Sequence, residues 1–537
     1  MLKIAEYRAS LNKSNEVIPR VPSLDEALVH WAMARPRSPF VTEVGTGKSL
    51  SYGVALRAVR ELQRLFGPKR RTIVLALPGG IAASVVWLAA LGGGHRLVMG
   101  SPDAMDDEKA RLAERYRPDL LIVEQADIAR GFGRAGRSTL TRAELDSAIE
   151  AWGAPTGSFD DLDVLPWKRE GELCLTTSGT TGAPKGVTLQ ARQIAWTAEQ
   201  VRVSHRLSST DRGFTALPFS HINAPVVSLS ATLLAGASVA IAPRFSRSRF
   251  WDWLKEEHVT WASIVPTIVA VLLQTEKPSW LPGELRFVRT ASAPLPAFHL
   301  RAFEDRFGVP VVETYGLSEA ASQVAANPVP PGRHKPGSVG LPTGVEMRIC
   351  LPAEAIGAGG PAGESRELRD VAPGTEGEIC ISGPSVISGY DGGSGAESFV
   401  DGWFRTGDMG YRDPDGYVFI TGRIRDVINR GGEKISPREV EEVLLTHPDV
   451  EDVVVIGEPD PTYGQRAVAY VIPRQLGRRD LEPQLRDYSS RRLSRYKVPA
   501  AFVLVDALPR TCTGKVQRRL VTSECPSGEL AGARRAW

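Results

Sequence analysis

The chain has 537 residues, a net charge of +3 and a hydrophobic content of 42%, which is enough apolar material for a large core and more than one domain. Its five cysteines are scattered, odd in number and never in CxxC or Cys/His spacing, so neither a disulfide framework nor a zinc site is expected. Basic residues are interspersed with acidic ones, which argues against a nucleic-acid groove, and the charged N-terminus lacks the apolar core of a signal peptide, which predicts a cytoplasmic protein.

The first motif in chain order is Gly45-Thr-Gly-Lys-Ser49, which looks like the end of a Walker phosphate loop. A Walker loop needs a glycine where this chain has Thr42. Because the motif leads into Leu50-Ser-Tyr-Gly-Val54, we predict a turn beside a strand here and no phosphate site.

Short β-branched runs alternate with amphipathic helical segments up to about residue 420, which predicts α/β sheets with helices on their faces. The clearest predicted strands are Arg71–Leu77, Pro118–Val123, Ser238–Ala242, Leu285–Arg289 and Val309–Glu313. Ligand sites in open α/β sheets lie at the carboxyl ends of the strands, so the residues that follow these runs are candidate site residues.

A loop rich in hydroxyls and glycines, Thr176-Thr-Ser-Gly-Thr-Thr-Gly-Ala-Pro-Lys-Gly186, follows the apolar run Leu173–Leu175. Glycines let backbone N–H groups converge, hydroxyls add donors, and Lys185 supplies a positive charge, which suits a polyphosphate. The alternative is an ordinary polar surface loop. The density of donors next to a lysine favours the phosphate interpretation.

The stretch Gly213–Pro243 contains no Asp, Glu, Lys or Arg and could be mistaken for a membrane span. Its prolines and polar groups, among them Pro218, His221 and Asn223, would all lie in hydrocarbon. We therefore predict a loop, a buried helix and a buried strand, and no membrane span.

From Val345 onward the chain changes to short strands punctuated by glycine, which indicates a small β subdomain. After Gly422 a helix from Ser436 and two β-branched strands predict a compact α+β module. The predicted division is an N-terminal domain over residues 1–422, a hinge over 423–425, a C-terminal domain over 426–522 and a frayed tail over 523–537.

Five motifs in order resemble the adenylate-forming superfamily, which contains acyl-CoA synthetases, peptide-synthetase adenylation domains and luciferases. They are the Thr176–Gly186 loop, Tyr315-Gly-Leu-Ser-Glu319, Gly402-Trp-Phe-Arg-Thr-Gly-Asp408, Gly422-Arg423 and Pro509-Arg-Thr-Cys-Thr-Gly-Lys515. The resemblance implies an α/β fold: a large N-terminal domain of two α/β-sheet subdomains plus a small β subdomain, with a smaller mobile α+β C-terminal domain. It also implies ATP and Mg²⁺, and CoA is the preferred second substrate.

The resemblance implies a set of contacts to the nucleotide, with Glu319 as the Mg²⁺ ligand, Tyr315 stacked on adenine, and Asp408 accepting hydrogen bonds from the ribose hydroxyls. Alternatives from the residue types alone are a solvated carboxylate, a core tyrosine and a turn aspartate. The nucleotide contacts are Thr176, Thr177, Ser178, Gly179, Thr180, Thr181, Gly182, Lys185, Ala293, Glu313, Thr314, Tyr315, Ser318, Asp408, Ile420, Arg423, Lys434 and Lys515.

The implied catalytic residues are Lys515, His221, Thr181 and Glu319. In this chemistry a carboxylate attacks the α-phosphate of ATP, so positioning and neutralisation of negative charge dominate catalysis. A flexible ammonium such as that of Lys515 suits the site where charge shifts between the two anions. His221 is not assigned as a base, because the acid is already ionised at neutral pH.

The resemblance also implies residues for the acid, the thiol and the domain movement. The acid pocket is formed by His221, Asn223, Ala224, Ser292, Gly316 and Ser322. Gly431 and Gly432 border the CoA channel, where missing side chains let a pantetheine arm approach, although an ordinary turn explains this pair equally well. Arg425 is the hinge.

Two kinds of acid compete. Asn429-Arg-Gly-Gly-Glu-Lys-Ile-Ser-Pro437 resembles oxalyl-CoA synthetases, but these have a histidine where this chain reads Ala320-Ala-Ser-Gln323, which speaks against a small dicarboxylate. His221-Ile-Asn-Ala224 resembles 4-coumarate:CoA ligases, which favours a substituted aromatic or arylacrylic acid, with Asn223 bonded to a ring substituent. Asn223 serving its own loop backbone is as good an interpretation.

The predicted function is that of an acid:CoA ligase that releases pyrophosphate. The enzymatic alternatives are transfer of the acyl group to a carrier protein, an amine or another nucleophile such as nitrite. A nucleotide-binding protein without ligase activity is the alternative of a different class. The oligomeric state is left open.

Overall fold

The structure is a computed structural model that describes residues 21–125, 131–132, 138–153, 169–177, 185–352, 368–393, 395–475, 481–511 and 514–524. The centre of the predicted phosphate loop, Ser178 to Gly182, lies outside the described residues, as do the N-terminus up to residue 20 and the tail from residue 525.

The strands are short and mostly separated by helices in the first two thirds of the chain. They are β1 (Pro39–Glu43), β2 (Ser49–Ser51), β3 (Thr72–Ala76), β4 (Arg96–Met99), β5 (Leu120–Val123), β6 (Ser138–Thr141), β7 (Glu172–Thr177), β8 (Lys185–Gln190), β9 (Arg212–Thr215), β10 (Ser238–Ile241), β11 (Trp261–Ile264), β12 (Phe287–Thr290), β13 (Val311–Leu317), β14 (Ser322–Ala326), β15 (Leu341–Pro342), β16 (Glu346–Cys350), β17 (Gly377–Ser382), β18 (Phe399–Val400), β19 (Trp403–Arg412), β20 (Val418–Arg423), β21 (Ile428–Arg430), β22 (Glu433–Ile435), β23 (Val450–Asp460), β24 (Gly464–Pro473) and β25 (Ala501–Leu504).

Most of the α-helices lie in the first two thirds of the chain, between these strands. They are α1 (Leu24–Ala34), α2 (Tyr52–Phe66), α3 (Ile81–Gly92), α4 (Asp106–Tyr116), α5 (Arg142–Gly153), α6 (Ala191–Ser204), α7 (Ala231–Ala235), α8 (Phe250–Glu256), α9 (Pro266–Leu273), α10 (Ala297–Phe307), α11 (Pro437–Leu445), α12 (Leu481–Ser490) and α13 (Arg518–Glu524). A π-helix, Asn223–Ser230, directly precedes α7. Helix α1 begins with a capping box, in which the side chains of Ser23 and Glu26 each accept from the other's backbone N–H.

Two large sheets carry the first 342 residues. One has six strands in the order β6-β5-β3-β4-β7-β8, and the other has nine in the order β15-β14-β13-β12-β11-β9-β10-β1-β2. Strands β9 to β13 run parallel, so their carboxyl ends meet at one edge of the nine-stranded sheet. That edge is where a ligand is expected.

Helix α3 lies in the core that the two large sheets share. Every residue from Ile81 to Leu91 is buried, and one continuous apolar cluster includes this helix together with residues of β1 and β3. A helix that is apolar all round must be covered on all sides, and two sheets with their helices provide that cover.

The predicted strands are confirmed with shifts of up to four residues at their ends. The largest difference is at β13, which continues past the predicted Glu313 to Leu317, because its pairing partner changes from β12 to the antiparallel β14. The Gly45–Ser49 motif forms a turn after β1 and ends at Ser49, the first residue of β2, as predicted. The uncharged stretch is strand β9, the π-helix with α7, and strand β10. Across the described ranges, every helix is too short or too polar to span a lipid bilayer.

Two smaller sheets follow. In the first, β16-β17-β19-β18 with β20 beside β19 form an antiparallel sheet, and in the second, β22-β21-β24-β23 with β25 beside β24 pack against α11 and α12. The fold is therefore mixed α/β with two large sheets, a small β unit and an α+β module, which confirms the predicted class. The boundaries of the predicted domains stay a prediction.

The buried ion pair between Arg405 and Glu378 offers a test of the small β unit. Both side chains are less than a tenth exposed, and the Arg405 Nε atom lies 2.8 Å from a Glu378 carboxylate oxygen. Replacing Glu378 by Gln leaves a buried cation without its counter-charge, so we expect a loss of about 3 kcal/mol in the free energy of unfolding.

Urea unfolding measures this loss. The matched control is Asp487→Asn, which breaks the exposed pair with Arg491 and is expected to change stability by less than about 0.5 kcal/mol. Equal effects of the two substitutions would contradict the assignment of a buried, structurally required pair.

Candidate active site

The carboxyl ends of β12 and β13 form the floor of a large cavity. Thr290 pairs with Glu313 across the two strands, so the residues that follow each strand lie side by side. The cavity has a volume of about 2180 Å³, which is ample for a nucleotide and an acid. Predicted site residues that line it are Ser292, Ala293, Glu313, Thr314, Tyr315, Gly316, Asp408, Ile420, Arg423 and Lys515.

Asp408 is the centre of a buried polar cluster. One of its carboxylate oxygens accepts a hydrogen bond from the Tyr315 hydroxyl, and the other lies 2.8 Å from Arg423 Nε. Burial, together with the charge of Asp408, raises the pKa of Tyr315 well above its usual range, so the hydroxyl stays a neutral donor. Each carboxylate oxygen has a further acceptor site, which leaves room for the predicted ribose contact.

Glu313 also lines the cavity and lies two residues before Tyr315 on β13. Its Oε2 atom accepts a hydrogen bond from the Gly337 N–H at 2.9 Å. Burial raises its pKa to about 8, so most of this carboxyl group is protonated at neutral pH. It can therefore donate as well as accept a hydrogen bond.

Lys515 enters the cavity from the C-terminal segment. Gly514, with φ of +78°, lies so close to α9 that a Cβ atom there would be 2.4 Å from Thr267 Oγ1. The charge of Arg423 and the enclosure of the side chain lower the pKa of Lys515 to about 8, while Asp408 acts in the opposite direction. The structure thus brings the predicted lysine into the electrostatic range of both residues.

Tyr390 connects the predicted metal ligand to the predicted phosphate-binding lysine. Its hydroxyl donates to Glu319 Oε1 at 2.9 Å, and Lys185 Nζ lies 4.6 Å from the centre of its ring. Lys185 begins β8 and pairs with Thr177 at the end of β7, so the predicted phosphate loop connects two antiparallel strands. Tyr390 was missed in the sequence, where its only signal is an aromatic residue between two glycine-rich runs.

Glu319 fits the role of a ligand for a hard cation. It follows β13 in a short turn, Ser318–Ala320, and is half-buried. Within the described residues its Oε2 atom makes no hydrogen bond, whereas Oε1 is oriented by Tyr390. A carboxylate with one oriented and one available oxygen is the donor that Mg²⁺ binds, together with phosphate oxygens.

The predicted acid-pocket residues come from three elements. His221 precedes the π-helix, Asn223 and Ala224 begin it, and both of these are buried. Asn223 donates to Ser292 Oγ at 3.4 Å and accepts from Arg289 Nη1 at 2.9 Å, so its amide serves side chains across the pocket. Burial lowers the pKa of His221, which keeps the imidazole neutral at neutral pH.

The backbone is strained where β13 meets β14. Ala321 and Ser322 have φ of 56° and 106°, and a Cβ atom on Gly316 would lie 2.1 Å from the Ser322 carbonyl oxygen. Ser292, across the cavity floor, has φ of 76°. Backbone strain of this kind is concentrated at functional sites, where the surrounding structure compensates its cost.

The predicted hinge and CoA-channel residues lie outside the cavity lining. Arg425 is the middle residue of a short turn, Ile424–Asp426, between β20 and β21. Gly431 and Gly432, with φ of 60° and 96°, form the two-residue turn between β21 and β22, which is a sufficient structural reason for both glycines. Lys434 is exposed on β22, away from the other predicted nucleotide contacts.

The sequence and the fold match known proteins. Residues 28–391 match the family described as AMP-binding enzyme, and residues 439–515 match the AMP-binding enzyme C-terminal domain. This chain belongs to the AMP-binding enzymes. The predicted superfamily and enzyme class, an AMP-forming ligase of the acyl-CoA synthetase type, are thereby confirmed.

Individual relatives cover most of the chain. Sulfoacetate–CoA ligase of Cupriavidus necator is 36% identical over 504 residues, which cover 90% of this chain and 94% of that protein. Oxalate–CoA ligase of Arabidopsis thaliana is 41% identical over 396 residues, covering 72% of this chain and 73% of that protein. Among solved structures, ATP-bound MatB from Rhodopseudomonas palustris has a TM-score of 0.82 at 25% identity and covers 94% of this chain and 99% of its own.

Gly316 supports a direct test of the strained cavity floor. We expect Gly316→Ala to lower the rate of acid-dependent adenylation by about 10²-fold, because the new methyl group displaces the Ser322 carbonyl and, with it, the pocket wall. Pyrophosphate release measures the rate. The control is Gly283→Ala, since a Cβ atom at Gly283 meets nothing within 4 Å. A Gly316→Ala variant as active as this control would refute the close-packing argument.

Proposed function

We propose that this chain is an ATP-dependent carboxylic acid:CoA ligase that works through an acyl-adenylate. The observation that carries the proposal is the position of Lys515, which the C-terminal segment places in a cavity lined by Asp408 and Arg423. A protein that only binds a nucleotide does not require a lysine from the C-terminal segment in this cavity. The position of Lys515 therefore favours catalysis.

In the first half-reaction an oxygen of the substrate carboxylate attacks the α-phosphorus of ATP, and the bond to the bridging β-phosphate oxygen breaks. Pyrophosphate leaves with the electron pair. Lys515 offsets the negative charge that builds up between the carboxylate and the α-phosphate. Asp408 and Tyr315 hold the nucleoside, and the charge of Lys185 offsets that of the leaving phosphates.

Glu319 is the residue that would hold Mg²⁺, as its available carboxylate oxygen indicates. A bound divalent cation supplies charge neutralisation on the phosphate oxygens. Tyr390 orients Glu319 by its hydrogen bond, and its ring lies beside Lys185 Nζ. The tyrosine thus contacts both the residue that would hold Mg²⁺ and the lysine proposed to bind the phosphates.

In the second half-reaction the sulfur of CoA attacks the acyl carbon, and AMP leaves. We place the pivot for this step at Arg425, between the last strand of the small β unit and the first strand of the C-terminal module. Rotation there would withdraw Lys515 and present the exposed turn of Gly431 and Gly432 in its place.

The relatives bear on the acceptor and on the acid of the proposed reaction. The two relatives described above, for sulfoacetate and for oxalate, are CoA ligases by name, and this supports CoA over a carrier protein or an amine. Both of those acids are small and doubly acidic. The sequence prediction of an aromatic acid rests on Asn223, whose amide is already bonded to Ser292 and Arg289.

The proposal is tested by separating the half-reactions. We expect Lys515→Ala to lower acid-dependent pyrophosphate release by at least about two decades, because one charged contact to the transition state is lost. The same variant should convert a synthetic acyl-adenylate and CoA into thioester at close to the wild-type rate. Arg425→Pro should show the reverse pattern, since proline restricts the φ angle at the pivot.

The controls follow from the same assay. If wild-type enzyme releases no pyrophosphate with any acid, the ligase proposal fails. Pyrophosphate release without thioester in the presence of CoA points to another acceptor. Equal loss of both half-reactions in Lys515→Ala contradicts the division of labour between the two conformations.

The pKa of Lys515 predicts a pH dependence. The group is needed in its charged form and has a pKa of about 8 in the free enzyme, so kcat/KM for ATP in adenylation should be constant below about pH 7 and fall above about pH 8. Lys515→Arg keeps the charge at higher pH, so its lower rate should not show this fall. Lys69→Arg, at an exposed site, is the control and should keep the wild-type profile. An identical fall in Lys515→Arg would assign the titration to another group.

A further inference from the structure

A buried arginine without a counter-charge lies behind the acid pocket. Arg289, on β12, is 1% exposed. Its Nη1 atom donates to Asn223 Oδ1 at 2.9 Å and to Ser263 Oγ at 3.2 Å, while Nε has no partner. No aspartate or glutamate among the described residues forms an ion pair with it, so its neighbours offer neutral acceptors only.

Within the described ranges, the contacts around Arg289 involve no carboxylate. The rings of Trp261 and Phe287 lie on the same face of the sheet, and His205 packs edge-on against both of them. Burial, together with the charge of Arg289, lowers the pKa of His205 well below its usual range, so this imidazole is neutral. Arg289 itself has a pKa lowered by burial to about 9, and it is still protonated at neutral pH.

Other buried arginines of the chain do have carboxylate partners. Arg60 is 2% exposed and binds both oxygens of Asp25, at 2.6 and 2.9 Å. Arg405 is paired with Glu378 in the small β unit. An unpaired buried charge destabilises a protein, so its presence at Arg289 calls for an anion that arrives from outside the chain.

A hydrogen-bonded chain joins this guanidinium to the cavity. Arg289 binds Asn223, Asn223 binds Ser292, and Ser292 lines the cavity three residues beyond Arg289 on the same segment. Asn223 is also two residues from His221, another predicted residue of the acid pocket. The positive charge is therefore at the closed side of the pocket, behind the side chains that an acid would contact.

We propose that Arg289 selects acids that carry a second anionic group, such as a second carboxylate or a sulfonate, at the end remote from the carboxylate that is activated. This inference rests on the proposed ligase function and names its substrate class. The second anion supplies the missing counter-charge from the pocket side, where Asn223 and Ser292 lie between it and the guanidinium and donate to the anion. A singly charged aromatic acid would instead place an uncharged ring against a buried cation.

The test compares acids that differ in one charge. The probes are oxalate, malonate, succinate and sulfoacetate, with monomethyl malonate as the singly charged analogue of malonate and 4-hydroxybenzoate as the aromatic acid. Wild-type enzyme should show a kcat/KM for its best doubly charged acid at least about 10²-fold above those for the singly charged acids, because a singly charged acid leaves Arg289 without a counter-charge. Acid-dependent pyrophosphate release measures these values.

Substitution of Arg289 separates recognition from folding. Arg289→Met should lower kcat/KM for the doubly charged acid by about 10²-fold through the KM of the acid, with the KM of ATP unchanged, and should leave the singly charged acids within a few-fold of wild type. Arg289→Lys should restore part of the preference, because it keeps the charge. Arg286→Met is the control, because Arg286 lies just before the same strand and pairs with Asp211 outside the pocket.

Two outcomes would overturn the proposal while leaving the ligase function intact: a wild-type preference for 4-hydroxybenzoate or another singly charged acid, and equal losses for all acids in Arg289→Met. If that variant does not fold, thermal unfolding of the wild-type enzyme decides. Malonate or another doubly charged probe should raise its melting temperature more than monomethyl malonate does, and the absence of any such difference for every probe refutes the proposal. Failure of all acids to drive pyrophosphate release rejects the ligase function itself.

Discussion

The carboxylate of Asp408 joins three parts of the molecule that are distant in sequence. Through Tyr315 it is bonded to the carboxyl-terminal part of strand β13, and through Arg423 it is paired with the last residue of β20. Lys515 of the C-terminal module is in the field of the same two charges. The contacts of Asp408 therefore fix the end of β13, the end of β20 and the position of Lys515 with respect to each other.

The cations of the site fall into two classes that differ in how they are held. Arg289 lies inside a parallel sheet, between neighbouring strands, and has no freedom to leave the pocket. Lys515 is carried by a turn that lies against Thr267 of α9, and in the proposed mechanism it leaves with the C-terminal module. The two proposals together assign recognition of the acid to a fixed charge and its activation to a movable one. Under them the enzyme withdraws Lys515 while Arg289 stays in place.

Much of the fold could be predicted, because the β-branched runs and their spacing report burial on both faces of a parallel sheet. The motif residues Tyr315, Asp408 and Lys515 could also be predicted, because their types and order resemble a known family. The contacts of Tyr390 and Asn223 could not, since each depends on a partner many tens of residues away. For Arg289 a signal was available: a charged residue inside an otherwise apolar strand is unusual and has to be explained by a partner.

The sequence by itself determined the fold class and the superfamily and predicted the residues of the nucleotide site, because local patterns of burial and short motifs carry that information. Only the tertiary structure decided which charges are compensated. Pairing of Arg405 with Glu378, and the absence of such a pair for Arg289 among the described residues, follows from how sheets and helices pack and leaves no trace in spacing or composition. For this reason the motifs identify the chemistry, whereas the packing around one buried guanidinium points to the acid.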